Sequence, residues 1–373
     1  MIWGFIMKAH FNREGLVEAM GLLTSVVPSR TPKPILQCVL ISAKKEQTRM
    51  CATDLEVGIN YAISGVQVDE QGEIAVRADR LSAIVRESAD DVLVFEAAEG
   101  VCTVTGADSK FTIYGQGADQ YPTVPVFEGE AEIELTLENL QAGIDQCLFA
   151  TAKETSRYAI NGVLWETKGK KLSLIATDGR RLARCRVGLV SARREQAERK
   201  LIVPAKTMAL LSKIGRHDKE TVAVKLVDNQ ILFSCADVVI GSNLVEGTFP
   251  NYEDIIPTDY QKKIKLSTEA TLSAVRRAAL LTSEESRGIK LSVSKDSLVF
   301  SGRAPETGDA RVSMSIDYKG EPIDIGFNPQ FLVDALRAVH TPEVELELGE
   351  PDRPGVIKSG SDFLYVLMPI SLA

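Results

Sequence analysis

Apolar residues along this chain recur with two periods, and the order in which the periods alternate is itself repeated. Leu201–Gly215 reads as a short apolar strand, a stop at Pro204, a helical run and a glycine exit. Ala75–Glu87 and Ile325–His340 carry the same succession, and Leu81, Met208 and Leu332 hold the same place in each, 127 and 124 residues apart. Leu16, Leu140 and Leu272 sit in three amphipathic helical runs spaced by 124 and 132 residues. Leu40, Leu164 and Leu291 sit in three apolar strands spaced by 124 and 127. Thr53-Asp54-Leu55 returns as Thr177-Asp178-Gly179, again 124 residues on. Solenoid repeats have periods of about 20–50 residues, so a period of about 125 means three whole domains.

The pattern predicts similar elements in each third. In the first, Phe11–Val27 has apolar residues at helical spacing, with Asn12 as the N-cap. Pro28–Pro34 is a loop, and strands are expected at Cys38–Ala43, Gln47–Ala52 and Val57–Ile63. After Ala75–Glu87 comes a meander of Val92–Ala97, Val101–Thr105 and Lys110–Tyr114. In the second, a helix over Leu135–Thr151 precedes a hairpin of Val163–Glu166 and Lys171–Ala176 and a polar loop, Ser191–Arg199. Strands Val222–Leu226, Gln230–Ser234 and Val238–Leu244 follow Leu201–Gly215. In the third, a polar join, Thr258–Lys263, leads to a helix over Thr268–Leu281 and a hairpin of Ile289–Ser294 and Ser297–Ser301. Ile325–His340, Val344–Leu348, Gly355–Lys358 and Phe363–Pro369 complete it. Each third has two helices and many antiparallel strands, an α+β layer architecture. The expected domains are 1–128, 129–259 and 260–373.

Composition changes this picture little. Hydrophobic content of 45% and charged content of 25% are ordinary for a soluble globular chain. The net charge of −8, taken alone, argues against a nucleic-acid binder. The six cysteines form no CxxC pair and fit reduced, buried thiols in a cytoplasmic protein. The first six residues, MIWGFI, are too short and lack the basic start of a signal peptide, and Met7-Lys8 is a second candidate start. No apolar run approaches the roughly 18 residues that span a bilayer, so no membrane partner is expected.

Catalytic signatures are missing. There is no HExxH, GxSxG or Walker A sequence. Gly115-Gln116-Gly117 lacks the third glycine of a dinucleotide fingerprint, and His10, His217 and His340 lie at unmatched positions. No metal or cofactor is expected. A carboxylate pair acting as acid and base between domains stays open as a competing reading, though nothing selects a pair. The clearest local signal is Ala176–Leu182, where Thr-Asp-Gly makes a turn and two arginines precede a leucine, setting cations beside an apolar surface.

From Met7 to Leu372 the chain resembles the bacterial DNA polymerase III β subunit family, the sliding clamps. The resemblance is carried by Lys33–Leu36, Thr53–Glu56, Arg157–Gly162, Ala176–Leu182, Val203–Lys206, Leu244–Tyr252, Ser286–Ile289, Ile325–Asn328 and Tyr365–Ile370, in matching order. It implies three tandem clamp domains, joined head to tail with those of a second chain into a closed six-domain ring. It implies a DNA-encircling processivity factor with no bond chemistry of its own. Its partners would be duplex DNA, a second copy of the chain, the DNA polymerase III catalytic subunit, the clamp loader, and other polymerases, ligase and mismatch-repair proteins through short peptides.

The resemblance also implies sites. A peptide pocket between the second and third domains maps onto Ile160, Thr177, Gly179, Arg180, Arg181, Leu182, Pro250, Ile255, Val366, Leu367, Met368, Pro369 and Ile370. The dimer contact maps onto Lys110, Phe111, Ile113, Leu280 and Leu281. The six repeated helical runs carry nine Lys/Arg against eight Asp/Glu, so most of the chain's acid lies outside the helices that would line the hole. Arg30, Arg80, Arg86, Arg157, Tyr158, Lys206, Lys213, Arg276 and Arg277 are the candidate DNA contacts. Weak rather than tight phosphate contact suits sliding, because each neutralised phosphate adds affinity. The chain departs from the family at Glu253-Asp254, at Ser371 and at Ala373; the first two make the pocket rim more acidic.

Overall fold

The computed structural model describes residues 7–153, 158–193, 199–215, 220–282, 288–304 and 308–371. Arg157, His217, the Ser286-Arg287 pair and Ala373 lie outside them. The first third runs β1 (Met7–Asn12), α1 (Arg13–Leu23), β2 (Cys38–Ala43), β3 (Thr48–Thr53), β4 (Val57–Ile63), β5 (Gln67–Glu70), β6 (Gly72–Arg77), α2 (Ala78–Glu87), β7 (Val92–Ala98), β8 (Val101–Thr105) and β9 (Lys110–Gln116). The second runs β10 (Ile133–Thr136), α3 (Leu137–Cys147), β11 (Gly162–Lys168), β12 (Lys171–Thr177), β13 (Arg181–Gly188), β14 (Ser191–Ala192), β15 (Lys200–Pro204), α4 (Ala205–Leu211), β16 (Thr221–Val227), β17 (Gln230–Cys235) and β18 (Val238–Asn243). The third runs β19 (Lys262–Ser267), α5 (Thr268–Ala279), β20 (Ile289–Ser294), β21 (Ser297–Ala304), β22 (Gly308–Ser315), β23 (Ile323–Phe327), α6 (Pro329–Ala338), β24 (Glu343–Leu348), β25 (Gly355–Ser359) and β26 (Phe363–Leu367). The architecture is α+β, with two α-helices in each third among the described residues.

Local chemistry sets the element ends. Asn12 caps α1 by accepting from Glu14 and Gly15 N–H, and Ser267 and Asn328 do the same for α5 and α6. Three expectations shift. The helix expected from Phe11 starts at Arg13, because Met7, Ala9 and Phe11 alternate inward as strand β1. Arg181–Gly188 and Gly308–Ser315 are strands, and the polar join expected over Thr258–Lys263 gives way at Lys262 to β19; alternation disrupted by arginine, serine and lysine did not signal these strands. In α5 the buried position equivalent to Leu16 and Leu140 is Thr271, whose hydroxyl donates to Ser267 O, while Leu272 is only half-buried. At the other repeat positions, Leu81, Met208 and Leu332 are all buried, and so are Leu164 and Leu291, while Leu40 is half-buried.

Contacts divide the chain into two compact units, one holding 7–138, 189–193 and 209–244, the other 139–188, 199–208 and 245–371, counting described residues. In the first, β4 pairs antiparallel with β18, from Val57 opposite Ser242 to Tyr61 opposite Val238. In the second, β13 pairs antiparallel with β26, from Arg181 opposite Leu367 to Cys185 opposite Phe363. Both joints put the third strand after one repeat's first helix against the last strand of the next. The corresponding strands that remain are β22 and β9. Among the described residues, β22 pairs only with β21, and β9 from Lys110 to Tyr114 pairs only with β8.

All six cysteines are buried and free, and burial pushes the Cys51 thiol up to about 11 and Cys102 to about 12. No described helix is long and apolar enough to cross a membrane.

Candidate functional site

The second unit gathers most of the predicted pocket residues around the β13–β26 joint. The Thr177–Arg181 turn fixes one side of it. Thr177 Oγ1 donates to Arg181 O at 2.7 Å and accepts from Gly179 N–H at 3.1 Å, while Asp178 Oδ1 accepts from the N–H groups of Arg180 and Arg181. Gly179 takes φ +84°, the left-handed region, which explains the glycine. Met368 N–H donates to Arg180 O at 3.0 Å, tying the turn to the strand that follows Val366.

Strand alternation then sorts the residues by face. Leu182 and Val366 face each other across the joint and share an apolar cluster with Ala159, Ile175 and Tyr252, against which Phe249 and Ile256 pack half-buried. Ile160 is buried beside this cluster's Ala159, its N–H donating to Tyr158 O. Met368 (42% exposed) and Ile255 (38% exposed) are the open apolar residues of the set. Arg180 is exposed, and Pro250, Pro369 and Ile370 are half-buried, Ile370 N–H donating to Gly326 O.

Arg181 and Leu367 lie on the opposite face. The Arg181 side chain, 11% exposed, donates from Nε to Asp178, from one terminal nitrogen to Asp334 on α6 at 2.7 Å, and from the other to Phe149 O. Its guanidinium also lies 4.3 Å from the Phe331 ring centroid. Burial opposes the charge, but Asp334 and its neighbours outweigh that and the pKa is raised. Leu367 is fully buried, on the side where Tyr365 meets the Phe149 ring. The residues that the resemblance maps onto one pocket thus fall on two faces. Arg181 is a fastening inside the joint rather than a cation at the rim.

The floor is braced from below. Tyr252 donates to Glu166, which also pairs with Lys200 Nζ at 2.6 Å. Burial alone would raise the Glu166 carboxyl, but hydrogen bonds from Lys200 and Tyr252 hold it below its ordinary range. Sequence reasoning named neither Glu166 nor Tyr252 as part of this site; no local motif marks them.

The other candidate residues are scattered as follows. Arg80 and Arg86 are exposed on α2, Lys206 on α4, and Arg276 and Arg277 on α5. Lys213 follows α4 and donates to Ser25 Oγ at 3.1 Å, Arg30 is exposed in the loop after α1, and Tyr158 is 48% exposed. On β9, Lys110 and Phe111 are exposed and Ile113 is turned to the core, while Tyr114, which the sequence did not single out, is 81% exposed. Leu280 is 78% exposed at the end of α5, and Leu281 is half-buried. No group of three or more His, Cys, Asp or Glu suited to a metal ion occurs among the described residues.

Comparison with known proteins covers nearly the whole chain. Three family models match in order: the DNA polymerase III beta subunit N-terminal domain over residues 7–125, the central domain over 134–251 and the C-terminal domain over 253–371. A beta sliding clamp of Pseudomonas putida is 32% identical over 369 residues, 97% of this chain and 100% of the relative. Among solved structures, the DNA polymerase sliding clamp of Bacillus subtilis is similar with a TM-score of 0.92 at 27% identity, covering 98% of this chain and 100% of that one. A Pseudomonas aeruginosa sliding clamp bound to griselimycin gives 0.89 at 29% identity, with the same coverage. Three clamp domains in tandem, matched end to end, place the chain in the bacterial DNA polymerase III β subunit family, the non-catalytic sliding clamps.

Proposed function

We propose that two copies of this chain close into a six-domain ring around duplex DNA and hold the replicative polymerase on its template. The observation that carries the reading is the pair of open strand edges. Two joints of one kind are made inside the chain, β4 with β18 and β13 with β26, and among the described residues the strands of the third kind, β22 and β9 over Lys110–Tyr114, each keep one open edge. Edges of this kind invite pairing with another chain. A head-to-tail contact between β22 of one copy and β9 of its partner, repeated twice, closes the assembly. The domain limits 1–128, 129–259 and 260–373 put one joint of this type at each boundary.

In this reading the exposed cations of α2, α4 and α5, with Arg30, Arg157 and Tyr158, meet the phosphate backbone without sequence readout. The surface around Leu182, Val366, Ile255 and Met368 takes short apolar peptides from the polymerase catalytic subunit, the clamp loader, other polymerases, ligase and mismatch-repair proteins. A methionine and β-branched residues over a braced floor suit several peptides in turn. Griselimycin on a relative's clamp supports a peptide-like ligand. The work is done in the cytoplasm by tethering, which raises the polymerase's effective concentration at the template.

The test is topological. Loaded onto nicked circular DNA, the protein should stay bound through a gel-filtration column and come off when the circle is linearised. In sedimentation it should run at twice the chain mass. Equal loss from circles and linear DNA, or a monomer, refutes the ring.

A further inference from the structure

Beside the exposed apolar pair Ile255 and Met368 opens a groove of about 680 Å³ that the apolar site does not account for. Its walls are two loops, 254–261 and 349–354. Prolines 257 and 354 stiffen them, and Arg353 N–H donates to Glu350 O across the tighter one. Asp254, Asp259, Glu350 and Asp352 line the groove against one cation, Arg353, a formal excess of three negative charges. All four carboxylates are exposed. None forms an ion pair among the described residues, and only Asp254 is held by a side chain, Asn251 Nδ2 at 2.6 Å. The groove is therefore a preformed, uncompensated acidic channel continuous with an apolar anchor site.

We infer that this groove binds the basic flank of the partner peptide, so that the clamp selects short peptides whose apolar anchors are followed or preceded by lysine or arginine. The inference rests on the peptide-site reading above and deepens it. Continuity fixes the occupant: a chain anchored over Met368 and Ile255 has the groove as its next surface. Charge fixes the chemistry: an acidic flank would meet repulsion, while a cation would meet several carboxylates at once. The groove's own arginine leaves the acids in excess rather than neutralising them. Exposure keeps the gain modest, and salt should weaken it.

The test uses the full-length protein and three kinds of fluorescein-labelled peptide sharing Leu and Phe anchors. One carries neutral Gly-Ser flanks, one Lys-Lys at either end in turn, and one Glu-Glu in the same places. At low salt a Lys-Lys peptide should bind about two- to tenfold tighter than the neutral one, as two exposed ion pairs allow. The Glu-Glu peptide should bind more weakly than the neutral one. The lysine advantage should vanish in Glu350→Gln/Asp352→Asn and in 0.5 M salt (roughly a 4 Å screening length), with the neutral peptide unaffected by the substitutions. Equal affinity of neutral and lysine-flanked peptides, or an advantage that survives the double variant, overturns the acidic-groove inference and leaves the apolar site standing. Failure of the neutral peptide to bind at all overturns both.

Discussion

Leu55 and Gly179 occupy the same place in two copies of one turn, with φ +80° and +84°. The copies agree bond for bond. Thr53 Oγ1 donates to Val57 O and accepts from Leu55 N–H, and Asp54 Oδ1 accepts from the next two N–H groups, as Thr177 and Asp178 do in the second repeat. The residue in the left-handed position is leucine in one copy and glycine in the other. A leucine there costs about 1–2 kcal/mol relative to glycine. The turn's hydrogen bonds over-determine the backbone and hold it there.

Leu55→Gly should therefore stabilise the protein by about 1 kcal/mol, less the extra chain entropy glycine brings to the unfolded state. Leu55 is 47% exposed, so little packing is lost. Gly179→Ala should destabilise by a similar amount, although nothing lies within 4 Å of the added methyl. Urea melts of both variants check the pair, and opposite signs are required.

Arg181 and Met368 separate fold from binding. Arg181→Ala removes partners from Asp334, Asp178 and Phe149 O in a site only 11% exposed, and should cost about 2–4 kcal/mol of stability. Met368→Ala should leave the melting temperature within a few degrees, since Met368 is 42% exposed. It should weaken an apolar peptide by about 1–2 kcal/mol, that is about five- to thirtyfold. Thermal melts beside anisotropy titrations decide it. If Met368→Ala binds peptide as the wild type does, the apolar site lies elsewhere.

How far the sequence reached depends on how local each signal is. The Thr-Asp-Gly turn was legible because Asp178 bonds to N–H groups two and three residues on. The tandem repeat was legible because Leu81, Met208 and Leu332 each sit at the fourth position of a helix and are buried alike. Strand β13 was not, since Arg181, Arg184 and Arg186 interrupt its apolar alternation. Arg181 spends its charge on Asp178 and Asp334, the latter 153 residues away. The bracing of Tyr252 by Glu166, 86 residues apart, is likewise invisible to any window. The resemblance put Leu367 with Val366 in the site; the pleat puts them on opposite faces.

The open edge of β9 makes a prediction about assembly. Phe111 is 37% exposed and Tyr114 81%, beside backbone groups with no partner strand on that side among the described residues. Phe111→Asp should set a charge into the proposed copy-to-copy contact and shift the protein to monomer at micromolar concentration. Its melting temperature measured on the monomer should change little. Sedimentation equilibrium reads the first effect and circular dichroism the second. A dimer of unchanged affinity would mean that β9 is not the contact strand.

Glu166 supplies the pH dependence. Its ordinary value is 4.5, and in the fold burial, which would raise it, is outweighed by Lys200 and Tyr252, so the folded carboxyl sits lower. A carboxyl with a depressed folded pKa contributes stability that is fully present above the unfolded value and lost as the pH falls through the folded one. The contribution should therefore be complete at neutral pH and be lost on acidification from below 4.5 downward, as the pH falls through the lowered folded value. Glu166→Gln keeps the shape and removes the charge, so it should cost about 1 kcal/mol at pH 7. The gap between variant and wild type should close in acid, because there the wild-type carboxyl is neutral as well. Urea melts of the two proteins at pH 7 and near pH 3 measure it. A gap that stays constant across that range would show that the Lys200–Glu166–Tyr252 brace is held by shape and not by charge.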